Sequence, residues 1–292
     1  MLEIYGFDHE GHLLEGWPVE LPPDWDAMMA MVDLDLLGDQ EIVFKGNRNL
    51  YGPEQMVIID SGGAIVSQWD LPHVEMTSSF HRGPAFGNFD EDPDLEIVSC
   101  GYSENGGFQG DDFVNEGAIY VYNMDGSLVE GWPVYTHSGY MRGAPAVGDL
   151  DNDGSEDIIV GLDYTLLLGE TFPEFYGGVW AFDRHGKVLE GWPVLQNGRF
   201  RSTPSLADAD GDGFLEVAMV KLTYCEDCFF ETYLIRHDGS IVEGWPQFTT
   251  ESFVSVGAIR GDITGDTIPE VIVSEGSTVS PYGGGVFAWD IY

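Results

Sequence analysis

The sequence predicts an all-β protein, a propeller of four-stranded antiparallel blades, and three observations lead there. An acidic nine-residue motif recurs five times, a second motif, GxxxEGWP, recurs between its copies, and the joining runs alternate apolar and polar residues over short lengths. Alternation with a period of two is the mark of a strand with one covered face. No stretch keeps a 3.6-residue period, so almost no helix is expected.

The acidic copies are Asp33–Glu41, Asn88–Glu96, Asp149–Asp157, Asp208–Glu216 and Asp262–Glu270, with starts 55, 61, 59 and 54 residues apart. The second motif stands at Gly11–Pro18, Gly126–Pro133, Gly186–Pro193 and Gly239–Pro246, with a worn copy at Gly62–Trp69. One unit reads as strand A over Gly143–Gly148, the acidic loop, strand B over Asp157–Gly161 and a variable loop. Strand C over Gly178–Asp183 follows, then a turn at Arg184-His-Gly186 and strand D over Lys187–Pro193. Four short strands per repeat is the pattern of a propeller blade. The Trp of each GWP is expected to pack between neighbouring blades.

The runs Leu2–Asp8 and Gly285–Asp290 both match strand C, so the chain opens on C–D and stops at A–B–C. Five repeats are visible, and they form a single domain over residues 1–292. Either a five-bladed ring closes with one spare strand, or the repeats belong to a larger ring of six to eight blades. Exposed strand edges invite pairing, so head-to-tail self-association is a further possibility. The start lacks a basic segment followed by an apolar one, so it is no signal peptide, and a mature or truncated piece of a longer chain is expected.

Composition narrows the partners. Among 292 residues, 11 are Lys or Arg and 51 are Asp or Glu, a formal charge of −40. Such a chain repels nucleic acid and anionic membrane surfaces and draws cations. The acid excess fits a set of metal sites, a salt-adapted surface, or both. No run approaches the ~18 apolar residues of a membrane-spanning helix. Cys225 and Cys228 form a CxxC between strand-like runs, read as a local disulfide or two plain thiols, while Cys100 ends an apolar run and reads as buried.

The acidic loops carry the chemistry. At positions 1, 3 and 5 of one loop stand Asp149, Asp151 and Asp153, whose side chains converge on one point. Gly154 at position 6 permits the sharp turn, the Ser155 carbonyl at position 7 can face the same point, and Asp157 at position 9 returns a last carboxylate. Hard oxygen ligands on a flexible loop suit calcium, and the lack of nitrogen or sulfur argues against zinc or copper. An EF-hand is excluded, because position 12 is Val160, inside a strand. The loop of Asp208, Asp210, Asp212, Phe214 and Glu216 is equally complete. The loop of Asn88, Asp90, Asp92, Asp94 and Glu96 has Asn at position 1 and Pro93 at position 6. The loop of Asp262, Thr264, Asp266, Ile268 and Glu270 has the weaker Thr at position 3. The loop of Asp33, Asp35, Asp39 and Glu41 has Leu37 at position 5 and is expected to bind weakest or not at all. Four calcium ions and one further weak site are the expectation.

This D-x-D-x-D-G-x-x-[DE] loop, set between a GAP-like strand (Arg142-Gly-Ala-Pro145) and an apolar strand, resembles the FG-GAP/VCBS repeat of integrin α-subunit-like propellers. The GxxxEGWP strand is similar to that of bacterial extracellular members. The resemblance covers essentially the whole chain. It implies a calcium-stabilised propeller, extracellular or at the cell surface, that works as an adhesion, binding or scaffold module on a protein or glycan ligand. The ligand positions carry over loop by loop.

No catalytic constellation is present. The seven His residues are scattered, and no GxSxG, HExxH or phosphate-binding loop occurs. Arg82, Arg142, Arg199 and Arg201 precede strand A in successive units and either pair with neighbouring acids or form a rim for an acidic glycan. The loops Ser103–Glu116 and Thr165–Tyr176 are the expected variable binding loops. Non-enzymatic binding is the first expectation. A self-assembling surface subunit and a polysaccharide lyase on acidic glycans are the alternatives.

Overall fold

The computed structural model describes residues 2–21, 26–47, 54–72, 83–102, 107–109, 112–114, 117–136, 141, 143–162, 176–222, 230–249, 259–262, 264–265, 270–274 and 286–289. Cys225, Cys228, Arg82, Arg142, Asp266 and Ile268 lie outside them. Every regular element among the described residues is a strand, and every strand pairing is antiparallel. The chain divides into two compact units, Met1–Thr136 and His137–Tyr292.

In the first unit, Leu2–Ile4 pairs with Val19–Leu21. A four-stranded meander follows: Asp26–Val32, Glu41–Asn47, Glu54–Ile59 and Ile65–Asp70, side by side in chain order. A second meander joins Ala85–Gly87, Glu96–Tyr102, Gly117–Tyr122 and Val134–Tyr135, and a hairpin of Gly107–Gln109 and Asp112–Val114 sits in its B–C connection. In the second unit, Ala146–Gly148, Asp157–Leu162, Tyr176–Phe182 and Val194–Asn197 form one meander. In the next sheet Arg199–Phe200 and Ser205–Ala207 both pair with Glu216–Leu222, followed by Phe230–Ile235 and Gln247–Thr249. The last sheet has three strands, Ile259–Gly261, Glu270–Ser274 and Val286–Trp289.

The middle strands hold the core. Glu54–Ile59, Gly117–Tyr122, Asp157–Leu162 and Phe230–Ile235 are buried at every residue. Strands covered on both faces imply sheets stacked face to face. In the first unit Val43, Met56 and Ile58 meet Ile97, Ala118 and Tyr120 of the following sheet. In the second unit Ile159, Val179 and Ala181 meet Val217, Met219 and Tyr233.

Strand D departs from the sequence expectation. Lys187–Pro193 is not a ladder strand; Val188 makes an isolated bridge to Phe182, and the fourth strand is Val194–Asn197. Gly191 takes a left-handed φ of 87°, and Pro193 has no N–H to give a ladder. The same offset puts Val19, Val134 and Gln247 at the head of their strands, each after a GWP. The worn copy proves the rule: with no Gly-Trp-Pro, its strand runs straight through Trp69, from Ile65 to Asp70.

The GWP turn joins one sheet to the next within a unit. The Trp192 indole N–H donates to the His237 carbonyl over 2.9 Å, and that of Trp17 to the Ser61 carbonyl over 3.3 Å. Both acceptors lie in the C–D turn of the following sheet. A Cβ on Gly191 would sit 2.0 Å from the Asp238 carbonyl oxygen, so the backbones approach only because Gly stands there.

Candidate metal centre

Each acidic loop joins an A strand to a B strand, and four of them are anchored by one repeated bond. The N–H of position 2 donates to the carboxylate of position 9: Leu34 to Glu41 over 2.8 Å, Phe89 to Glu96 over 2.5 Å, Leu150 to Asp157 over 2.8 Å and Ala209 to Glu216 over 2.7 Å. The position-9 acids Glu41, Glu96, Asp157, Glu216 and Glu270 are all buried at the first residue of strand B. The position-2 side chains Leu34, Phe89, Leu150 and Ala209 are buried too, so apolar packing pulls this carboxylate inward.

Position 6 closes the loop. The N–H groups of Gly38, Gly154 and Gly213 donate to Oδ2 of Asp33, Asp149 and Asp208 over 2.9, 3.0 and 3.1 Å. Pro93 has no such N–H, and at that copy position 1 is Asn88, whose Nδ2 donates instead to the Asp92 carbonyl over 2.6 Å. The two departures compensate one another.

Among the described residues, carboxylates converge in four loops. Ligand atoms of Asp33, Asp35 and Glu41 lie within 4.8 Å of one another, as do those of Asp149, Asp151 and Asp157, and of Asp208, Asp210 and Glu216. At the modified loop the converging set is Asp90, Asp92 and Glu96. Positions 1, 3 and 9 thus form the usual triad. Asp153 and Asp212 at position 5 turn Oδ1 to the N–H groups of Ser155 and Phe214, over 2.7 and 2.9 Å. Leu37 replaces that position in the first loop, and the triad there still assembles. Asp39 and Asp94 stand at position 7, outside the triads. In the last loop Asp262 Oδ1 accepts from Gly265 N–H over 2.5 Å, Thr264 is exposed and Glu270 is buried.

The electrostatics fit a cation. Burial pushes the Asp157 carboxyl up to about 7, and the charges of Asp151, Asp153 and Asp149 push the same way. Burial also pushes Glu96 up to about 7, with Asp90, Asp92 and Asp94 adding to it. Glu41 is raised by burial and by Asp35 and Asp33. Oδ1 of Asp33 is buried with no hydrogen-bond partner, an acceptor that a cation would satisfy. An all-oxygen set on a glycine-turned loop suits calcium.

The structure adds residues that motif reading missed. Lys45 and Lys221, two of the chain's three lysines, are buried in B strands. Lys45 Nζ lies 3.7 Å from Glu54 and donates to the Cys100 carbonyl over 2.8 Å. Lys221 pairs with Glu231 and donates to the Tyr233 hydroxyl over 3.1 Å. A lone lysine in an apolar run was the available signal. Arg199 and Arg201 are half-buried, one on either side of Phe200.

The fold and the loops define a β-repeat protein with carboxylate-lined A–B turns. The FG-GAP-like repeat family matches residues 88–160, a stretch holding two of the acidic loops, so the chain carries an FG-GAP repeat. No curated protein sequence matches the chain. Among solved structures, rhamnogalacturonan lyase YesW is similar at a TM-score of 0.57 and 14% identity, over 99% of this chain and 53% of that one. The Bacillus licheniformis rhamnogalacturonan lyase PL11 gives 0.55 and 16%, over 99% and 52%. The Pseudomonas aeruginosa PilY1 C-terminal domain gives 0.51 and 13%, over 98% and 68%. The chain therefore spans about half the length of the lyase structures it matches. At these identities the likeness is one of fold. No helix among the described residues is long and apolar enough to cross a membrane.

Proposed function

We propose that this chain is a calcium-stabilised β-propeller module, extracellular or at the cell surface, whose sheets are the blades and whose acidic loops are their metal staples. It serves as a binding, adhesion or scaffold domain toward a protein or glycan. One observation carries the reading: the same buried position-9 carboxylate, held by the position-2 N–H, recurs in four loops where carboxylates converge. Structure of this kind, repeated from loop to loop, supports a stabilising role. Anything that binds only the folded state raises its melting temperature. Calorimetric melting with calcium and with a chelator tests this. A curve unmoved by the chelator overturns the reading.

A second reading is a polysaccharide lyase acting on acidic glycans. It is favoured by the fold likeness to rhamnogalacturonan lyases and by Arg199 and Arg201 beside a strand A. Elimination creates a double bond that absorbs in the ultraviolet, so a panel of acidic polysaccharides tests it. Silence across the panel removes it.

A further inference from the structure

One side chain joins the two complete loops of the second unit. Asn152, at position 4 of the loop beginning at Asp149, holds a left-handed backbone at φ 58°. Its Nδ2 donates to the Gly213 carbonyl of the loop beginning at Asp208, over 2.7 Å. The peptide unit that carries this carbonyl also carries the Phe214 N–H, which donates to Asp212 Oδ1 over 2.9 Å. The N–H of Gly213 itself donates to Asp208 Oδ2 over 3.1 Å. On the near side, the N–H after Asn152 belongs to Asp153 and donates to Asp149 Oδ1 and Asp151 Oδ1, over 3.1 and 3.2 Å. The carboxylates of one loop are thus tied through the placement of Asn152 to those of the other.

The bridge is particular to this pair. Position 4 is Leu36, Glu91, Gly211 and Gly265 in the other copies. Leu36 shares the left-handed backbone, at φ 54°, but has no amide, and Gly211 has no side chain with which to reach onward. In the first unit the loops beginning at Asp33 and Asn88 are joined by a backbone bond, Leu95 N–H to the Leu34 carbonyl over 2.7 Å, and by the packing of Leu34 and Leu95 in one apolar cluster.

We infer that Asn152 is a positioning residue that couples the two loops, so that calcium fills them cooperatively. The inference rests on the calcium reading proposed above. An ion at the first loop orders Asn152 and, through it, the Gly213 peptide, so the second ion meets a loop that is already partly ordered. The coupling is reciprocal by linkage.

Hydrogen exchange of the full chain over a calcium titration tests this, read separately on the peptides covering residues 149–157 and 208–216. Asn152→Gly permits the left-handed backbone at no steric cost and removes the side chain that makes the bridge. Asp210→Asn disables the second loop. In the natural sequence, Asp210→Asn is expected to raise the calcium midpoint for protection of residues 149–157 about fivefold, the low end of ordinary coupling. In the Asn152→Gly background the same change is expected to leave that midpoint in place, which is the double-mutant signature of a lost interaction. An equal shift in both backgrounds, or none in the natural sequence, overturns the coupling while leaving calcium binding intact. Absence of calcium-dependent protection at either peptide overturns the calcium reading and the coupling with it.

Discussion

The Leu150 N–H donates to Asp157 Oδ2 over 2.8 Å, and this bond decides which way the acidic loop faces. Leu150 is fully buried, and Asp157 opens a strand that is buried throughout. The packing of an apolar side chain therefore delivers a carboxylate to a place where its charge is costly without a cation.

Substituting Asp157→Asn separates the two states. The amide can still accept from Leu150 but removes the charge that burial and Asp151, Asp153 and Asp149 oppose. In chelator the variant should melt higher than the natural protein, by about 2–4 °C for about 1 kcal/mol. In calcium it should melt lower. Scanning calorimetry in both buffers checks the crossing of sign.

The pH dependence follows from the same groups. Glu96 and Asp157 stand near 7 in the folded, metal-free chain, against about 4 when unfolded. The folded state then holds more protons, so their contribution is present in full below about pH 4 and is lost as pH rises through 7. Between pH 5 and 8, the metal-free protein should lose stability from these groups as pH rises. With saturating calcium the trend should vanish, because ion-bound carboxylates hold no protons and the folded and unfolded states then bind almost equally few. Melting curves across that window, with and without chelator, should diverge; parallel curves count against the account.

Trp192→Phe keeps an aromatic ring but loses the indole N–H that reaches the His237 carbonyl. A cost of about 1 kcal/mol is expected. Trp192→Ala also leaves a cavity and should cost about 3–5 kcal/mol. Urea titration of the two variants resolves the difference.

Lys45→Met deprives the buried Glu54 of its cation and should cost about 3–5 kcal/mol. Adding Glu54→Gln should restore most of the loss. A double variant no more stable than the single one would show that the lysine acts through its bond to the Cys100 carbonyl instead.

Much of this architecture was legible in the sequence. Alternation placed the A, B and C strands of the unit running from Gly143 to Asp183, and the spacing of acids and glycine placed the loops. Strand D was misplaced because its apolar residues alternate up to the Trp, while the ladder is governed by backbone terms: the left-handed Gly191 and the missing N–H of Pro193. Position 5 reads as a ligand because its side chain is an acid. In the structure Asp153 and Asp212 each turn one oxygen to a backbone N–H, and Asp92 at the same position does so while converging with Asp90 and Glu96. Leu37 at position 5 marks the loop beginning at Asp33 as the weakest in the sequence, and positions 1, 3 and 9 still meet there. Lys45 and Lys221 gave no motif, since their partners come from neighbouring strands.

The most direct test is isothermal titration of calcium into chelator-stripped protein, with magnesium as the control. Several calcium ions should bind per chain, with heat lost on Asp157→Asn and Glu96→Gln and little response to magnesium. A flat calcium titration of folded protein would contradict the calcium reading.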